Sequence, residues 1–367
     1  MAQSGRLLSL DVMRGITIAG MIMVNNPGTW EYVYTPLRHA AWNGLTPTDL
    51  VFPFFMFIMG VSMFFSLRKY DFKWTTESVG KVLKRTVLIF LVGFGLNFVG
   101  YVLYNGFDSF EHLRILGVLQ RLALAYGFGS LIGLAIRPGY ILHAAAGILL
   151  FYWALLNFTG SNVLSEQNII AIVDRSIFGT SHMYSDYLAD GTKIAFDPEG
   201  LLSCLPSIAH VLLGFYVGKT IMECRKNNEL IIRKLFLFGT IVLFIGLLLS
   251  YGCPINKKLW SSTFVLTTCG FGSLFLALLI WIIDINGKKK WSLFFEVFGI
   301  NPLFLYVQAD IFSWILDMTG IQHLIYSGFL QPVFGHSGGS FVWAIVFVVL
   351  NWIPGYWLYK KQIYIKL

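Results

Sequence analysis

The chain has 367 residues, of which 56% are hydrophobic and 17% aromatic, and only 13% carry a charge. A soluble domain carries about a quarter charged residues, so this composition excludes a soluble globular class, and with it any domain count from length. The net charge of +8 is a bias between loops and not a nucleic-acid footprint. Apolar runs near the length that crosses a bilayer recur from end to end. They predict an all-α, polytopic transmembrane bundle of ten spans, at about 8–25, 47–66, 83–104, 115–136, 140–158, 200–220, 232–251, 261–283, 292–316 and 340–358. The first span contains Asp11 and Arg14 and is followed by no small-residue cleavage site, so it does not read as a removed signal peptide. Residues 1–367 read as one domain with a long polar loop at about 159–199, a length often tied to function.

The positive-inside rule orients these spans. Loops on one side hold most of the Lys and Arg, including Arg6, Lys69, Lys84, Arg85, Lys226, Lys289 and Lys366, which predicts that both termini are cytoplasmic. The other side is not strongly basic. Its acids, among them Glu31, Asp108, Glu111, Asp174, Asp197 and Glu199, outnumber its cations. The four cysteines have neither metal-ligand spacing nor a disulfide framework, and no metal site is expected.

Ionisable and amide groups inside spans are costly and point to function. At 100° per residue, Asp11, Arg14 and Asn25 fall within about 60° of one another on the first span. Arg114 and Arg121 on the fourth, and Asn301 and Gln308 on the ninth, are each about 20° apart. Three polar stripes therefore face a shared interior. An Asp11–Arg14 pair that neutralises itself is the structural alternative.

The stretch "RHAAWNGLTPTDLVFP" (38–53) joins the first two spans. Thr46 caps a helix, Pro47 suits its first position and Asp49 completes a capping box, so Asp49 has a purely structural reading. His39 precedes the cap and is not needed for it. Histidine moves protons near neutral pH, and Trp42 and Asn43 beside it offer an aromatic platform and an amide for a sugar. His182, His323 and His336 compete with His39 on the same side, and only His182 lies in a polar loop. In "FDPEG" (196–200), Asp197 reads as a cap and Pro198 as the first helical position. Glu199 then lies in the first turn, free to meet a cationic substrate.

"RLLSLDVMRGITIAGMIMVN", "RHAAWNGLTPTDLVFPFFMFIMG", "GVLQRLALAY", "DRSIFGTSHMY", "AFDPEGLLS" and "NKKLWSSTFVLTT" occur in this order over nearly the whole chain. They resemble the heparan-α-glucosaminide N-acetyltransferase family, lysosomal transmembrane acetyltransferases with bacterial relatives. The resemblance implies that cytosolic acetyl-CoA gives its acetyl group to the amine of a glucosamine on the far side. It places the family's active-site histidine on His39 and the neighbouring amide on Asn25. By that resemblance, the luminal region and extra span that precede "RLLSLD" in the lysosomal members are expected to be lacking here.

The expected chemistry assigns His39 as general base, with Asn25 or Arg121 donating to the developing oxyanion. Arg14, Lys84 and Arg85 are expected at the CoA phosphates, with Asn301 added from the ninth-span stripe. Trp42, Asn43, Asp49, His182 and Glu199 are the expected acceptor contacts. The expected partners are acetyl-CoA as co-substrate, an amino sugar or glucosamine-terminated glycan, membrane lipids and a second copy as a homodimer, with no nucleic acid. The expected location is a bacterial inner membrane. Two alternatives stand: an O-acetyltransferase acting on an envelope polysaccharide, and a solute transporter whose stripes line a path.

Overall fold

A computed structural model describes residues 7–107, 110–188 and 190–365. Arg6, Asp108 and Lys366 lie outside the described residues. In chain order the α-helices are α1 (Leu8–Asn25), α2 (Pro47–Leu67), α3 (Thr76–Asn105), α4 (Val118–Ala135), α5 (Ile141–Phe158), α6 (Ile169–Phe178), α7 (Cys204–Glu223), α8 (Asn228–Leu249), α9 (Ser262–Leu279), α10 (Leu293–Ile300), α11 (Pro302–Met318), α12 (Ile321–Ile325) and α13 (Gln331–Lys360). One antiparallel hairpin, β1 (Ser185–Tyr187) and β2 (Lys193–Ala195), sets Asp186 opposite Ile194. Among the described residues nine helical runs are long and apolar enough to cross a bilayer, or ten if the bent α10–α11 pair counts as one. The chain is a multi-pass α-helical membrane protein.

Three sequence expectations change in detail. The ninth span is not straight: α10 and α11 meet at 80°. Asn301 between them has φ −121° and ψ 56°, and Pro302 opens α11. Proline lacks the N–H that would continue the helix and disfavours helical geometry in the residue before it. Asn301 and Gln308 therefore do not share a helix face. Helix α4 begins at Val118, so Arg114 precedes it and does not share a helical stripe with Arg121. Helix α7 begins at Cys204, so Asp197 does not cap it.

Cα packing sorts the chain into two units. Among the described residues the first takes 7–40, 45–55 and 275–365. Within it α1 packs against α10, α11 and α13. The α1–α10 approach is backbone to backbone: a Cβ on Gly15 would lie 1.7 Å from the Phe295 carbonyl oxygen, and one on Gly299 2.0 Å from that of Asp11. Small residues make such approaches possible where lipid supplies no hydrophobic drive between helices.

The second unit takes residues 41–44 and 56–274. Here α7 is the central helix, packed by α4, α5 and α8, while α3 pairs with α4. Thr75 and Ser78 form a reciprocal capping box at the start of α3. The long loop has its own core: Tyr152, Leu156, Ile170, Ala171, Ile194, Phe196 and Leu259 are buried together, with Trp42 packed against them. Asn168 caps the short helix α6 inside this loop.

Candidate active site

Asp49 is the anchor of the first unit's site. Its Oδ2 accepts from the Thr46 backbone N–H at 3.0 Å, the Thr46 hydroxyl at 3.0 Å and the Ala40 N–H at 3.1 Å. The first bond is the half of the capping box that its spacing predicts; the Thr46 hydroxyl donates to Asp49 and does not accept from a helix N–H. Its other oxygen, Oδ1, lies 2.7 Å from His39 Nδ1. The Asp49 side chain is fully buried, whereas the His39 ring is 49% exposed. A carboxylate only accepts, so the neutral imidazole donates its Nδ1 proton to Asp49. Its Nε2 keeps the lone pair.

Asn25 ends α1 and is exposed, with its amide in the same unit as His39. Arg14 pairs with Asp11 at 3.2 Å and donates to the Gly299 carbonyl at 3.2 Å. Asn301 is buried: its Nδ2 donates to the Ile363 carbonyl at 2.9 Å, and its Oδ1 accepts from the Ile365 N–H at 2.8 Å. It thereby ties the C-terminal segment to the α10–α11 bend.

In the second unit Trp42 donates from Nε1 to the Asn162 carbonyl at 3.0 Å and meets Phe196 edge-on at 5.7 Å. Asn43 Oδ1 accepts from Asn256 Nδ2 at 3.2 Å. His182 Nδ1 lies 2.9 Å from the Leu113 carbonyl. Lys84 and Arg85 are exposed on α3, and the Arg85 guanidinium lies 4.8 Å from the Tyr126 ring centre.

Arg114 and Arg121, though not on one helix face, both grip the segment 197–203. Arg114 holds Asp197 through Nε at 2.9 Å and Nη2 at 2.5 Å, and Glu199 at 2.7 Å. Burial by itself would raise the Glu199 carboxyl. The positive charges of Arg114, Arg121 and Lys257, together with the Arg114 hydrogen bond, hold it below the usual carboxylate range. Arg121 is 1% exposed. It donates to the Pro198 carbonyl and the Ser203 hydroxyl, and lies 4.8 Å from the Trp260 ring centre. Its Nε has no hydrogen-bond partner among the described atoms.

Asp174 on α6 is fully buried and accepts from the Leu201 and Leu202 N–H groups at 2.9 and 3.4 Å. Burial pushes its carboxyl up to about 6, against these backbone bonds. Asp174 was not among the expected site residues, because its environment is made by residues 200–202, far along the chain. Asp310, a carboxylate within α11, was readable from sequence as an acid inside a span. His323 and His336 line a cavity of the first unit with Glu31 and Asp317.

A family model described as heparan-alpha-glucosaminide N-acetyltransferase, catalytic, matches residues 6–253. The human protein named heparan-alpha-glucosaminide N-acetyltransferase is 28% identical over 358 residues, covering 84% of this chain and 53% of the human one. The mouse protein of the same name is 26% identical over 424 residues, covering 100% of this chain and 61% of the mouse one. The chain thus spans between half and two-thirds of the length of these curated relatives.

Proposed function

Because the chain belongs to the heparan-alpha-glucosaminide N-acetyltransferase catalytic family, we propose that it moves the acetyl group of cytosolic acetyl-CoA to the amine of a glucosamine-type sugar on the opposite side of the membrane. Family membership supports acetyl transfer, and the nine apolar helical runs support a membrane setting. The observation that carries the chemistry is the His39–Asp49 pair, with one partner sealed and the other half exposed. A base held in one tautomer by a buried carboxylate is arranged for proton transfer.

In this reading the acceptor nitrogen attacks the thioester carbonyl carbon. The C–N bond forms, the C–S bond breaks, and CoA leaves as a thiolate that takes up a proton. His39 Nε2 accepts the proton that nitrogen loses, and Asp49 stabilises the imidazolium. Asn25 or Arg121 donates to the developing oxyanion. Arg14, Lys84 and Arg85 meet the anionic end of CoA, with Asn301 shaping the inner mouth. Trp42, Asn43, His182 and Glu199 bound the acceptor side. Residues 1–367 act as one acyltransferase domain, with both termini cytoplasmic, in a bacterial inner membrane.

The test incubates purified protein with acetyl-CoA and glucosamine and assays for N-acetylglucosamine. Formation of the product supports N-transfer. Acetylation of a hydroxyl on N-acetylglucosamine, with no reaction at the amine, replaces it with O-transfer. Radiolabelled CoA and unlabelled acetyl-CoA, incubated without sugar, separate two routes. Direct transfer gives no exchange, whereas exchange lost in His39→Ala means that the histidine itself carries the acetyl group.

A further inference from the structure

Within the second unit, the latter part of α2 lies against α7 with almost no side chain between the backbones. A Cβ on Gly60 would lie 2.1 Å from the Val211 carbonyl oxygen, one on Gly214 2.1 Å from that of Phe57, and one on Gly218 2.8 Å from that of Val61. These contacts advance in the same direction along both helices, so α2 and α7 run in parallel and finish at the same end of the unit. The loop after α2 folds back onto that end. Phe72 rests on Phe64 and Phe215, with ring centres 5.1 and 5.9 Å apart.

Arg68 follows α2 and Arg225 follows α7, and the close approach brings both guanidiniums to one side chain. Arg68 Nη1 lies 2.8 Å from Met222 Sδ, and Arg225 Nη1 lies 3.9 Å from the same sulfur. A thioether is a weak acceptor. Among the described residues neither guanidinium has another hydrogen bond or an ion pair. Glu223, between Met222 and Arg225 in the chain, pairs with Lys219 at 3.7 Å. Both arginines are exposed, and Lys69, Lys73 and Lys226 add exposed positive charge to the same two segments, against Asp71. The negative ends of two helix dipoles favour nearby cations, but they do not require two guanidiniums to share one weak acceptor.

Each guanidinium thus keeps a planar set of N–H donors, the geometry that meets two oxygens of a phosphate. Their depth is equally specific. The apolar run of α2 extends to Tyr70 and that of α7 to Glu223, so Arg68 and Arg225 stand where hydrocarbon gives way to headgroups. Trp74 and Tyr140 are exposed on the neighbouring loops, as the aromatic residues of a membrane interface are. Basic clusters at this level attract anionic lipid.

We propose that Arg68 and Arg225 form a binding site for the phosphate of an anionic phospholipid headgroup, seated over Met222 at the shared end of α2 and α7. A soluble phosphate ester, CoA included, has the same chemistry, and the experiment separates the two sources. None of its readouts depends on acetyl transfer. Native mass spectrometry of the full purified chain in a neutral detergent follows binding during titration with dioctanoyl phosphatidylglycerol, dioctanoyl phosphatidylcholine or CoA. Phosphatidylglycerol is expected to bind more tightly than phosphatidylcholine, whose choline ammonium the arginines repel. Arg68→Gln and Arg225→Gln should each weaken phosphatidylglycerol about tenfold or more, as loss of a charged hydrogen bond does. The double variant Arg68→Lys with Arg225→Lys keeps the charge but loses the planar fork, and it should also bind more weakly. Arg137→Gln removes the same charge from another loop and should leave binding unchanged.

A second measurement needs no variant. Phosphatidylglycerol with a photoreactive headgroup should label residues 68–75 or 222–228 of the wild-type chain. Equal affinity for the two lipids overturns the proposal, as do folded arginine variants that bind like wild type or labelling confined elsewhere. A loss in Arg137→Gln as large as that in Arg68→Gln overturns it as well, because the attraction is then one of overall charge. CoA that displaces phosphatidylglycerol and weakens in the same variants overturns it too, by assigning the phosphate site to a soluble ligand.

Discussion

Asp49 uses its two oxygens differently. Oδ2 closes the start of α2, and Oδ1 fixes the His39 ring. Two substitutions separate the roles. His39→Ala should lower kcat by about 10²-fold or more while acetyl-CoA still binds. Asp49→Asn can keep the cap through its amide oxygen but no longer favours the Nδ1–H tautomer. The expected loss is on the order of 10²–10⁴-fold in kcat, with a displaced pH–rate profile. An unchanged profile would reduce Asp49 to a cap. Asp174 gives a pH test of the loop. Its carboxyl is raised from 3.8 to about 6, so the folded chain holds this proton more tightly than the unfolded chain. The stability it contributes is present below about pH 4 and is lost as pH rises through about 6, a swing of about 3 kcal/mol. Melting temperatures of wild type and Asp174→Asn, compared from pH 4 to 7, should converge at the acid end. Wild type should fall below the variant at the neutral end. A constant difference between them would show that Asp174 titrates normally.

At the scale of elements, the contact between α1 and α10 depends on absent side chains. A Cβ on Gly299 would overlap the Asp11 carbonyl, whereas one on Gly95 in α3 meets nothing within 4 Å. Gly299→Ala should therefore destabilise by about 1–3 kcal/mol through overpacking. Gly95→Ala should stabilise by about 0.4–1 kcal/mol, because it restricts only the unfolded chain. Thermal melts in one detergent check both, and equal shifts would mean that the close approach is not what holds α1 to α10. The bend at Asn301 belongs to this scale as well. It turns a stretch that is apolar enough for one span into two helices, and Pro302 is the cause readable in the sequence.

At the scale of the whole molecule, topology is the open quantity that loop charges address. The four native cysteines are buried, so introduced cysteines report cleanly against an impermeant maleimide in intact cells. Tyr251→Cys, at a position 94% exposed, should label. Lys226→Cys should be protected until the membrane is opened. Tyr364→Cys should be protected too if α10 and α11 together make one crossing. The opposite pattern at Tyr251 and Lys226 would invert the orientation and remove the basis for a His39 that faces away from acetyl-CoA.

Apolar run length determined the helical membrane class from sequence alone, because each span answers locally to the thickness of lipid and needs no distant residue. Residue type offered His39 as one candidate histidine among several, the family resemblance placed the active-site histidine on it, and the Thr46–Asp49 spacing marked the start of α2, since each is a property of a few adjacent positions. What only the tertiary structure decided depends on chain segments that periodicity cannot bring together. The Asp49–His39 bond closes across a loop. Arg114 and Arg121, aligned by angle on a helix that does not include Arg114, instead meet residues 197–203 from separate places. The cavity of Glu31, Asp317 and His336 draws on segments nearly 300 positions apart. A helical wheel assumes one unbroken axis, and it fails wherever a loop or a proline ends that axis. Contacts between distant segments follow from packing, which is set by the whole chain at once.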